Sequence, residues 1–396
     1  MYFSRIYDEA LAQAGYFVAG QKTGKGDMMK GLRVTAPAVV ISLLLLLTNA
    51  LAAEYEVWAL DQGTNTIYII TPELEVSEVI ALPQDIDMPH MIDFTSDYAY
   101  AFIANPASAN TAVMRTSDRE VISVLPTGAG SHFAGVVPGD ERVIVDVIAE
   151  ARLVEIELDL ANEAFSIGRE LVVAEDPLFA SRAEEFPGSS PVCHDYTLDG
   201  RYGYVTLGPG IADGGLVILD TESFSFERVF PPSEVRTNCG TIVSPDGRHM
   251  FLSGGSVDEG VWYVFDTGTH ELIHEDGSRG TDAHGVWFTA DGSELWMVNR
   301  HSSNAIIIDA ETLAVTDEIE FTGRSPDILT ISPDNRYAFI TLRGPEQRTG
   351  PHAIAGDTPG VAVFDVESRE LVTIIEPDHG NPVSDFHGIG LRRLDP

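Results

Sequence analysis

Apolar positions in this chain come in short bursts separated by polar turns. In "TDAHGVWFTADGSELWMVN" (281–299) a polar loop and a histidine lead into a short apolar run, an Asp-Gly turn and a second apolar run, which predicts two antiparallel strands joined tightly. The next stretch, "NAIIIDAETLAVTDEIEFTG", places β-branched residues on both sides of an Asp-x-x-Thr turn and predicts two more strands. Four strands in succession make one blade of a propeller.

The same pattern recurs. "CGTIVSPDGRHMFLSGG" from Cys239, "HGVWFTADGSELWMVNR" from His284 and "DILTISPDNRYAFITLR" from Asp327 align without gaps, with Asp246, Asp291 and Asp334 at the same offset from the first residue. "HMIDFTSDYAYAFIAN" from His90 and "HFAGVVPGDERVIVDV" from His132 follow the pattern. "HDYTLDGRYGYVTLG" from His194 follows it if its first strand is two residues shorter. Successive starts lie 42 to 62 residues apart, about one blade each, with insertions near 160–190 and 344–360. Residues 54–83 supply three strands that lack a first, and "HGIGLRR" near the C-terminus is a first strand that lacks the other three. Joined, they close a ring without a free sheet edge. The predicted fold is all-β, a seven-bladed propeller spanning 54–396.

The first 53 residues stand outside this pattern. "MMKGLRVTAPAVVISLLLLLTNALAA" has a basic start, an apolar run and a small-residue end, which predicts a secretory signal peptide over 28–53. Residues 1–27 then form an upstream extension of doubtful nativeness. The mature protein is expected in the periplasm or outside the cell, with no membrane span after signal removal. In that oxidising setting Cys193 and Cys239 are as well suited to a disulfide as to thiolate ligation.

Charge changes the picture only in part. Asp and Glu number 61 against 24 Lys and Arg, a formal net charge of −37, which argues against nucleic acid or an anionic membrane as partner and favours cations. A solvated acidic surface accounts for most of that charge.

Chemistry enters at the first residue of each repeat. In a propeller the first strand of each blade lines the central channel, so His90, His132, His194, Cys239, His284, Asp327 and His387 are expected to ring its mouth. Histidine makes up only 11 of 396 residues, yet it fills five of these seven positions. Neutral imidazole suits zinc or copper, and thiolate or carboxylate can complete a shell. His90, His132, His284 and His387 are the core candidates and His194 accompanies them; Cys239 and Asp327 are the weaker ligands. With blades about 10 Å apart, all seven cannot share one ion, so three or four neighbours are expected to bind a metal, or the ring to hold a cluster or a flat cofactor. Arg300, His301 and Arg343, after the second strands, are candidate rim contacts for a cofactor or anion. Trp262, Trp287 and Trp296 are expected between blades.

The repeats SPDGRHMFLSGG and SPDNRYAFITL, with the Asp-ended strands after them, resemble those of the YVTN or YncE-like seven-bladed propellers over residues 54–396. The histidine ring resembles metal-binding propellers of two kinds, the periplasmic zinc metallochaperones and the propeller domain of nitrous oxide reductase. The first resemblance implies metal sequestration or delivery to a periplasmic acceptor. The second implies a copper-dependent oxidoreductase served by an electron-transfer protein. A cofactor-free binding scaffold is a third reading.

Overall fold

The computed structural model describes residues 54–208, 214–349 and 354–394. The expected signal peptide and upstream extension lie outside them, as does His352 of the 344–360 loop. Among the described residues no helix is long and apolar enough to cross a membrane.

Seven four-stranded antiparallel sheets are formed, as the repeat predicts. We number them as blades from the N-terminus. Their inner strands are Phe386–Arg393, Met91–Phe94, Ser131–Val136, Ser190–Tyr196, Thr241–Val243, Ala283–Phe288 and Pro326–Ile331 for blades one to seven. Blade one is the closure: Phe386–Arg393 pairs with Tyr55–Asp61, register Trp58 to Gly390, so the two ends of the ring share one sheet.

The turn after each inner strand explains why the Asp recurs. Asp97, Asp199, Asp246, Asp291 and Asp334 each accept the hydroxyl of a Ser or Thr two residues earlier, at 2.6–2.8 Å, which locks the hairpin. In three of these turns the next residue is a glycine (Gly200, Gly247 and Gly292) with φ between +69° and +74°, where a side chain is strained. Apolar side chains fill the seams between neighbouring blades; Trp58 belongs to the first seam and Trp296 to the sixth, both fully buried. Trp262 is buried as expected, whereas Trp287 is 38% exposed in the channel. The insertion near 160–190 contributes a long outer strand, Ala164–Val172, and a short helix, Pro177–Ala180.

Candidate metal centre

A β-bulge aims the channel residues inward. Where a blade's inner strand pairs with its second strand, His387 and Gly388 together stand opposite Leu60, His284 and Gly285 opposite Val298, and Asp327 and Ile328 opposite Thr341. The extra residue kinks the strand and turns its side chain off the ladder. Blade three has a comparable shift around His132. The glycine that follows lets the next backbone close in: a Cβ on Gly388 would lie 2.3 Å from the His90 carbonyl oxygen, and one on Gly285 2.4 Å from that of Asp327. That contact accounts for the repeated His-Gly pair.

Four imidazoles and one carboxylate converge as a result. His90 stacks on His387 with ring centroids 3.6 Å apart and meets His132 edge-on, with the two Nε2 atoms at 2.8 Å. His284, Asp327 and His387 present donor atoms within 4.8 Å of one another; His284 Nε2 is 3.0 Å, and His387 Nε2 3.5 Å, from Asp327 oxygens. Every one of these five side chains is at most 4% exposed. Rings in stacking contact leave no gap between them for the flat cofactor considered from sequence.

Hydrogen-bond partners fix the tautomers. Gln62 donates its amide to Asp385 at 2.8 Å, so its oxygen faces His90 Nδ1, also at 2.8 Å, and that nitrogen must carry the proton. Asn238 donates to Asp282 at 2.7 Å, which turns its oxygen to His284 Nδ1 at 3.1 Å. His132 Nδ1 donates to the Val192 carbonyl at 2.8 Å, and His387 Nδ1 to the His90 carbonyl at 3.1 Å. His90, His132 and His387 therefore hold their proton on Nδ1 and point a lone pair on Nε2 inward, whereas His284 Nε2 lies between the Asp327 carboxylate at 3.0 Å and Arg300 at 3.3 Å. Fixing one ring nitrogen with an acceptor so that the other can bind is the usual support of a metal-ligating histidine.

The electrostatics agree. Burial, then repulsion from His387 and His132, holds His90 well below the ordinary imidazole value. Burial lowers His132 to about 3 and also depresses His284 and His387. Burial alone would raise Asp327, but His387, Arg300 and Arg343 outweigh it and keep the carboxylate ionised. Arg300 contacts Asp327 at 3.1 Å and Asp282 at 2.8 Å; Arg343 contacts Asp327 and Asp385, both at 2.8 Å.

Three expected site residues do not join this cluster. His194 is one residue past its bulge: Val192 and Cys193 stand opposite Thr206, and His194 rejoins the ladder opposite Val205. Its ring is wedged between blades three and four, with Nδ1 2.6 Å from Asp146 and Nε2 2.8 Å from the Tyr196 hydroxyl, so neither nitrogen is free for a metal in the channel. Cys239 is joined to Cys193 by a disulfide and offers no thiolate. His301 is half-buried on the rim, 3.3 Å from the Thr281 hydroxyl, away from the imidazoles. Arg300 and Arg343, expected at a solvated rim, are instead buried as ion-pair partners of Asp327. Sequence reasoning missed Gln62, Asn238, Asp282 and Asp385, which hold the ring in place.

Below the imidazoles the channel widens into a cavity of about 280 Å³, with Phe94, Phe133, Val286, Trp287 and Leu391 on its walls and Cys193 and Cys239 among its lining residues.

No protein-family profile matches the chain, and no curated protein sequence matches it. Solved structures do. Hydrazine synthase of Kuenenia stuttgartiensis aligns with TM-score 0.59 at 11% identity, over 78% of this chain and 95% of that one. The dihydro-heme d1 dehydrogenase NirN, in complex with DHE, aligns with TM-score 0.55 at 15% identity, over 85% of this chain and 74% of that one. The Cps50 (Swd1) propeller domain of Myceliophteria thermophila aligns with TM-score 0.54 at 11% identity, over 73% and 93%. At these identities the likeness is one of fold.

Proposed function

We propose that the protein is a transition-metal-binding propeller that holds copper, or failing that zinc, at the four imidazoles and serves in metal sequestration or delivery outside the cytoplasm. One observation carries this reading: His90 and His132 face each other through two unprotonated Nε2 atoms at 2.8 Å, with both protons committed to Gln62 and Val192 on the far sides. Two lone pairs at that distance repel unless a cation lies between them, and His132 is too weakly basic for that cation to be a proton near neutral pH. Neutral imidazole nitrogens suit copper and zinc, and copper stands higher in general affinity for such donors. His284, Asp327 and His387 form a second group of donors within 4.8 Å of one another beside that pair.

The test is competitive titration of the purified protein with copper and zinc, beside a His90→Ala/His132→Ala variant. At least one equivalent of copper bound by the parent and lost in the variant supports the proposal. Equal, weak binding by both proteins sinks it and leaves the scaffold reading.

A copper-dependent oxidoreductase is the second reading, favoured by the cavity beneath the centre, which has room for a small substrate. Copper-loaded protein whose EPR signal is bleached by ascorbate and restored by air would support that reading; an unresponsive signal would remove it.

A further inference from the structure

The disulfide stands where a ligand would. Blades six, seven, one, two and three supply the imidazoles and Asp327, and blades four and five fill the rest of the ring with Cys193 and Cys239. A sulfur of this pair is not remote from the imidazoles: Cys193 Sγ is 3.7 Å from His132 Nδ1, and the donor atoms of His132, Cys193 and Cys239 all lie within 4.8 Å of one another. Both cysteines are buried at 3% exposure, yet both line the channel cavity, which gives a small thiol a way to reach them.

We propose that Cys193, Cys239 and His132 form a second, redox-gated metal site, created when a dithiol reduces the disulfide and suited to a soft cation such as copper(I) or zinc. The chemistry balances. A thiolate of the reductant attacks one Sγ, the Cys193–Cys239 bond breaks, and a mixed disulfide forms; the reductant's second thiol displaces it and leaves as a cyclic disulfide. Two electrons and two protons pass to the cysteines, and the metal displaces those protons as it binds two thiolates. Two thiolates and an imidazole are three protein ligands of a kind that selects soft metals.

His132 couples the two sites. Its Nδ1 donates to the Val192 carbonyl at 2.8 Å but lies 3.7 Å from Cys193 Sγ, so binding metal there gives up the Val192 bond, and its Nε2 faces His90. If Nδ1 takes the metal, the ring proton moves to Nε2, where the His90 lone pair at 2.8 Å accepts it, and the repulsion between the two Nε2 atoms is removed. His132 then serves one centre or the other, so reduction shifts metal from imidazoles toward thiolates. This coupling, unlike the thiolate site itself, rests on the proposed imidazole centre.

The experiment is an anaerobic cobalt(II) titration of the full chain, as purified and after treatment with dithiothreitol and desalting. In the reduced parent a sulfur-to-cobalt charge-transfer band is expected to grow to one equivalent. It should be absent from the oxidised parent and from Cys193→Ser/Cys239→Ser, and retained in His284→Ala. A reduced parent without that band overturns the proposal, as does one whose circular dichroism shows the sheet lost on reduction. If the imidazole centre is the part that fails, the oxidised parent binds no cobalt while the band in the reduced protein persists.

Discussion

His284 and His194 both precede the hairpin of their repeats, seven and five residues ahead of the turn Asp, and do opposite things. His284 sits on a bulge, gives its Nδ1 proton to Asn238 and turns its Nε2 to the channel centre. His194 sits in the regular ladder two residues nearer its turn, and both of its nitrogens are taken up by Asp146 and Tyr196 in the seam between two blades. Gly135 makes room for it: a Cβ there would lie 2.5 Å from His194 Nε2. A histidine in a propeller repeat thus faces the channel centre or a seam according to whether it sits on the bulge or in the regular ladder beyond it.

Changing pH tests this distinction on the largest scale. The four channel imidazoles have depressed folded-state values, so the unfolded chain takes up protons at a higher pH than the native one does. Metal-free protein should therefore lose stability as pH falls from about 6.5, by about 1.4 kcal/mol per pH unit for each histidine. For His132 the loss continues down to about 3. Urea midpoints across that range check it, and replacing His132 with Phe should flatten the slope; an unchanged slope would count against the assigned neutral state.

Asp327→Asn comes next. It takes the shared carboxylate from two buried guanidiniums and should cost about 3–5 kcal/mol in chemical denaturation. A cost under about 1 kcal/mol would mean that Arg300 and Arg343 are held by Asp282 and Asp385 alone.

His194→Gln sharpens the contrast from the other side. It should cost about 1–3 kcal/mol by leaving Asp146 poorly partnered, with copper stoichiometry unchanged. Loss of copper in that variant would return His194 to the ligand set.

Gln62→Ala and Asn238→Ala should have the smallest effect on stability, because besides orienting His90 and His284 each removes one hydrogen bond from a carboxylate that keeps its arginine partner. Each is expected to weaken copper binding about 10–100-fold, as read by competition with a chelator.

Blade count, ring closure and the inward path of His90, His132, His284 and His387 could be read from the chain because hairpin chemistry is local: a Ser or Thr, an Asp two residues on, and a Gly or Asn. Blade four was misread for an identifiable reason. In the repeats that begin at His90, Cys239, His284 and Asp327 the first residue stands seven positions before the turn Asp, whereas His194 stands only five before Asp199. The offset carried the answer; residue type obscured it. Gln62 and Asp385 left no such trace, since they are 323 residues apart and meet only because the ring closes. The disulfide stood open as one of two fates for Cys239, and proximity across blades four and five decided it.

The most direct test of the central claim is a long-range proton–nitrogen NMR spectrum of histidine-labelled protein at neutral pH, before and after one equivalent of zinc as a diamagnetic probe. The account predicts the Nδ1–H tautomer for His90, His132 and His387. Zinc should shift the Nε2 signals of at least His90 and His132 and leave His194 where it was. Nε2–H tautomers at His90 and His132, or a spectrum that zinc does not move, would contradict it.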